Sequence, residues 1–142
     1  MRHKKSVLIG SVILVTLVVA WLVFRHPSDL EWIQQTSGVR LPRGVQDVSI
    51  YDNGEAFITA HVQLPAATVS EFARTFVPAP NAHLGLMGMD KLDQRFQSIP
   101  QDADLVAYAG RSKENTWTYV LDRRSGHLWI TVRYPDMAGD PP

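Results

Sequence analysis

Residues 116–134 read TWTYVLDRRSGHLWITVRY, two runs of alternating apolar and polar residues around a turn. Trp117, Tyr119 and Leu121 alternate in the first run, and Leu128, Ile130, Val132 and Tyr134 in the second. A period of two places each series on one face of a strand. A four-residue loop at 123–126 pairs Leu121 with Leu128 and Tyr119 with Ile130, and both series then share a face. A loop shorter by one residue would split them between the two sides, so the apolar pattern selects the register.

The segments upstream supply the rest of a sheet and its cover. Residues 105–109 read as one more strand, which follows Pro100. Val48 and Ile50 alternate before Asp52-Asn53-Gly54-Glu55, and Ala56, Ile58, Ala60, Val62 and Leu64 alternate after it. A two-residue Asn-Gly turn would set these series on opposite faces. A three-residue loop, Asp52-Asn53-Gly54, pairs Ile50 with Ala56 and Val48 with Ile58 and unites them. Two capping boxes mark helix starts, Ser28-Asp29-Leu30-Glu31 and Thr68-Val69-Ser70-Glu71. The first predicts a helix over 29–36 that stops at Gly38. The second opens the one-sided pattern Val69, Phe72, Ala73, Phe76 and stops before Pro78. Between 77 and 103, Met89, Leu92, Phe96 and Ile99 have helical spacing and predict a short helix around 90–97. The stretch His83-Leu84-Gly85-Leu86-Met87-Gly88-Met89 has no period that places it.

The order is helix, two strands, helix, long connection, three strands. It predicts an α+β domain over 27–136, with an antiparallel sheet of about five strands and two to three helices packed on one face.

Ahead of this domain, residues 6–24 form an uncharged run of nineteen, thirteen of them Val, Leu, Ile or Phe. At ~1.5 Å per residue it would span roughly 28 Å as a helix, close to the ~30 Å hydrocarbon core of a bilayer. Val18-Val19-Ala20 resembles a signal-peptide cleavage site, but the apolar run continues through Trp21-Leu22-Val23-Phe24. The sequence therefore predicts an uncleaved transmembrane signal anchor, a basic tip at 1–5 and a loose tail at 137–142.

Formal net charge is zero, with fourteen Lys/Arg and fourteen Asp/Glu. Four of the cations, Arg2, Lys4, Lys5 and Arg25, flank the apolar run, which leaves the domain with ten against fourteen, a net of −4. A basic tip before an acidic domain predicts a cytoplasmic N-terminus and an exported domain, as in a single-pass bacterial inner-membrane protein. It argues against nucleic-acid binding, which requires clustered positive charge. The absence of cysteine excludes disulfides, thiolate catalysis and zinc-thiolate sites.

No motif supplies a catalytic set or a cofactor site: there is no H-E-x-x-H, nucleophile elbow or phosphate loop. His61 falls opposite its strand's apolar face and reads as solvated, and His127 follows a turn glycine. His83 lies in the irregular stretch, with Asp90 and Asp93 downstream. His83 with either Asp90 or Asp93 would be the acid–base pair of a small tethered hydrolase, the alternative being a ligand-sensing domain that uses the same loop. Trp129 projects from the second face of the sheet beside Arg133. It is either an exposed contact residue or a cover that meets the long connection. The sequence thus predicts a protein partner, of immunity type among others, engaged through Leu86, Met87, Trp129 and Arg133. The bilayer is engaged through residues 6–24.

Overall fold

The computed structural model describes residues 28–135, with Val15, Thr16 and Val19 ahead of them. The expected anchor is otherwise outside the described residues, as are the tip and the tail. Among the described residues no helix is long and apolar enough to cross a membrane.

The elements are α1 (Asp29–Ser37), β1 (Gln46–Asp52), β2 (Phe57–Gln63), α2 (Ala66–Thr75), β3 (Leu105–Ser112), β4 (Asn115–Asp122) and β5 (His127–Arg133). All five strands form one antiparallel sheet in the order β1-β2-β5-β4-β3. The C-terminal hairpin pairs Leu121 with Leu128 and Tyr119 with Ile130, the register its apolar pattern requires. Its turn is closed by Asp122, whose Oδ1 accepts from Arg124 N and Asp104 N while Oδ2 accepts from Ser125 Oγ at 2.6 Å. Burial pushes the Asp122 carboxyl up, but these bonds outweigh burial and hold it below the ordinary carboxylate value.

The first hairpin departs from expectation. Ile50 pairs with Ala60 and Asp52 with Ile58, so five residues separate the paired ends. Asn53 causes the widening: its Oδ1 accepts the amides of Glu55, Ala56 and Phe57, which satisfies the loop from within. The shift is an even number of residues, so Ile50 and Ile58 keep the same face. Val48 does not keep it. A bulge between Gln46 and Ser49, with Asp47 at φ +46°, turns Val48 outward to 44 % exposure.

Both helices cover one face. α1 has the predicted capping box, with Glu31 N donating to Ser28 Oγ and Ser28 N to Glu31 Oε2, and it ends at Gly38 in the left-handed region. It buries Ile33 against the sheet, and Ser37 Oγ lies 3.0 Å from Tyr119 OH. α2 starts two residues before its predicted box. Pro65 occupies the cap, and its carbonyl accepts both the amide and the hydroxyl of Thr68. A proline at a helix start loses no hydrogen bond, because that N–H has no helical acceptor. Val69 and Phe72 join Ile58, Ala60, Val62, Tyr108, Tyr119, Leu121, Leu128, Ile130 and Val132 in the main core.

The other face is covered by the 27-residue connection at 77–103. The predicted helix around 90–97 is absent; in its place are 3-10 turns at Met89–Lys91 and Gln94–Phe96, after a first at Ala82–Gly85. Asp93, extended between them, donates its amide to Ser49 Oγ on β1. Gln97 Nε2 takes the carbonyls of Asp90 and Leu92. These bonds divert backbone groups that a continuous helix would pair.

Candidate functional site

The connection crosses the sheet strand by strand. Ala79 N donates to Ala107 O on β3, and Gly85 lies against Thr118 on β4. Met87 is bonded to Thr131 on β5, Gly88 lies against Phe57 and Thr59 on β2, and Asp93 reaches Ser49 on β1. The glycines have a steric reason. A Cβ on Gly85 would come within 2.5 Å of Thr118 Oγ1, and one on Gly88, at φ +64°, within 2.4 Å of the Phe57 ring. The strap thus lies close enough for backbone–hydroxyl bonds. Leu92, Phe96 and Trp129 form a second small core beneath it, with Leu86, Met89 and Ile99 packed alongside.

This arrangement resolves the two readings of Trp129 in favour of cover. It is 2 % exposed, and its Nε1 donates to Phe96 O at 3.0 Å. Leu86 and Met87 are half-buried, and Arg133 is exposed at the end of β5. The expectation of a solvated His61 is overturned. Its strand face is covered, and His61 is 0 % exposed. Its ring stacks on Phe96 at 3.6 Å between centroids with 9° between planes, and it meets the Trp129 ring at 5.4 Å. His61 Nδ1 lies 3.0 Å from Asp47 O, which the β1 bulge turns towards it, and Nε2 lies 2.9 Å from His127 Nδ1. Burial pushes the His61 imidazole down from 6.5 to about 4. Alternation placed His61 on the second face but carried no sign of the strap. The Phe96 spacing was the available signal, and it read as a helix.

The residues of the hydrolase alternative are not brought together. The turn that carries His83 packs on β3 and β4, whereas Asp93 sits over β1. At ~4.8 Å per strand spacing, the three intervals from β4 to β1 amount to roughly 14 Å. Asp90 is exposed and pairs with Lys91 at 3.3 Å. Among the described residues no three His, Asp or Glu side chains are grouped to hold a metal.

A second feature lies at the start of α1. Trp32, Asp52, Gly54, Glu55, Ala56, Tyr134 and Pro135 line an open concavity of about 820 Å³. Trp32 Nε1 donates to Tyr134 OH at 3.1 Å, and Tyr134 OH donates to Asp52 Oδ2 at 3.2 Å. Burial, with the nearby Asp52 carboxylate, pushes the Tyr134 phenol up and keeps it a donor. Trp32 remains 41 % exposed. Sequence reading passed over this residue, because Trp32 and Tyr134 are 102 positions apart and only the fold joins them.

Fold and site define a class: a five-stranded antiparallel α+β domain with helices on one face and an irregular strap across the other. No family model matches the chain, and no curated protein or solved structure matches it.

Proposed function

We propose that this is a single-pass membrane protein, N-terminus in the cytoplasm, whose exported α+β domain binds a protein partner at the membrane surface without catalysing a reaction. The supporting observation is the concavity around Trp32 and Tyr134. Trp32 lies one turn into a helix whose cap, Ser28, follows the apolar run by only three residues. Three residues reach at most ~11 Å, so on this reading the concavity faces the zone just above the bilayer. A half-exposed Trp whose ring is held by a hydrogen bond suits a binding anchor, since little side-chain entropy is left to lose on docking. Arg133, exposed beside Tyr134 at the end of β5, extends the candidate surface. Trp129 contributes by holding the strap rather than by contact.

The test combines topology with site-specific crosslinking. The membrane fraction should hold the chain at full mass, with the domain open to protease from outside. A photoreactive residue at position 32 should give a discrete adduct that one at Arg124, in the β4–β5 turn at the opposite end of the sheet, does not. Recovery of a soluble form lacking residues 1–20 refutes the anchor, and identical crosslinking from both positions refutes the concavity as the contact.

A further inference from the structure

The His61–His127 pair has a proton arrangement fixed by its neighbours. A backbone carbonyl can only accept, so the 3.0 Å contact to Asp47 O puts a proton on His61 Nδ1. Neutral His61 then has a bare Nε2, and the 2.9 Å contact makes His127 Nδ1 the donor to it. His127, half-buried, keeps Nε2 as its free nitrogen. A proton on that nitrogen breaks neither bond. A second proton must go to His61 Nε2, where N–H would face N–H and two cationic rings would stand 5.0 Å apart.

We propose that His61 and His127 form an acid-released clasp, in which protonation of both rings frees the 89–97 part of the strap and bares the apolar surface of Leu92, Phe96 and Trp129. The clasp bears on this segment because Phe96 stacks on the His61 ring and its carbonyl holds Trp129. The charged and titratable groups that face His61 are His127 on β5, Asp47 on β1 and Arg95 on the strap. Asp47 is the single carboxylate among them. Arg95, with its guanidinium 4.8 Å from the Phe96 centroid, adds to the repulsion. Inside 89–97 the bond from Asp93 N to Ser49 Oγ on β1 has to open with the clasp, whereas Met87 to Thr131 and Ala79 to Ala107 lie outside this segment and hold the strap's first half in place. The released state is therefore a local opening of one segment. It needs no tether and stands apart from the binding proposal above.

The experiment is hydrogen exchange on the full chain in detergent micelles between pH 7 and 3.5, corrected for the intrinsic rate, alongside 15N spectra of the imidazoles. At pH 7 the spectra should show a proton on the Nδ1 atom of each ring and a bare Nε2 on His61. As His61 titrates, amides of 89–97 should lose protection while those of β4 and β5 keep theirs. The distance from 6.5 to about 4 sets a ceiling of about 300-fold on that loss. His127→Asn places an amide near the Nδ1 position, and this amide can turn its oxygen towards a protonated His61. The variant should lose protection about tenfold less than the parent. Three results would overturn the proposal: protection of 89–97 unchanged through the His61 titration, simultaneous loss in the β4–β5 hairpin, or an Asn variant that opens as the parent does.

Discussion

Under the helices, Ile58, Ala60, Val62, Leu128, Ile130 and Val132 meet Ile33, Val69 and Phe72 through apolar contact, and the hydroxyls of Tyr119 and Tyr108 add one bond each to Ser37 Oγ and Ala73 O. Under the strap, the alternate positions of the same strands present His61, Trp129 and Thr131, which meet their cover through named hydrogen bonds and one stacked ring pair. The first interface is mainly non-directional and depends on area and shape. The second is directional and depends on each donor finding its acceptor, and no buried side-chain nitrogen or oxygen lacks a partner among the described residues. The helical face should therefore set global stability, and the strap face should respond locally and to pH.

The largest expected effect tests the first half of that contrast. Ile130 is fully buried between the strands and the helices. Ile130→Ala removes most of a packed side chain and should cost about 2–5 kcal/mol of unfolding free energy in a urea titration. A loss well under 1 kcal/mol would mean that the helical face is not the dominant core.

The two faces also differ in how far the sequence disclosed them. The apolar series on Tyr119, Leu121, Leu128 and Ile130 carried its own register, because any odd shift would expose greasy side chains. The β1–β2 loop length was hidden, since Asn53 satisfies backbone donors in a way that no period records. The strap was hidden for a related reason. Its path is set by hydroxyls on Ser49 and Thr131 and by two glycines that permit close approach, and polar residues at period two read equally well as solvated. The concavity depends on Trp32 meeting Tyr134, a pairing that appears only once both ends of the chain are folded together.

The second effect is the pH dependence of the strap face. The His61 imidazole stands at about 4 in the folded domain and 6.5 ordinarily, so the unfolded chain binds its proton more tightly. Its contribution is fully present above pH 6.5, falls as pH drops from there to 4, and is lost below. The maximum is about 3 kcal/mol. Asp122, held below its ordinary value, adds a loss of the same sign further into acid. Urea midpoints at pH 7 and pH 4.5 should therefore differ in the parent and converge in His61→Gln, which does not titrate. Equal pH dependence in both would assign the effect to carboxylates instead.

The smallest effect is the most discriminating. Thr131 Oγ1 accepts from Met87 N at 3.0 Å and donates to Met87 O at 3.4 Å, and it is the tie at the middle of the strap. Thr131→Val keeps the shape and the strand preference and removes those bonds together with the 3.5 Å contact to Thr59 Oγ1. A buried amide left without a partner costs about 1–3 kcal/mol. If the strap opens by itself, the chain can escape that cost by detaching locally, so the urea midpoint should move less than that range implies. Hydrogen exchange at Leu86 to Met89 should meanwhile accelerate strongly. If the midpoint instead falls as far as in Ile130→Ala, with exchange rising evenly across the sheet, the two faces unfold as one unit. The strap would then be part of the core rather than a cover laid over it.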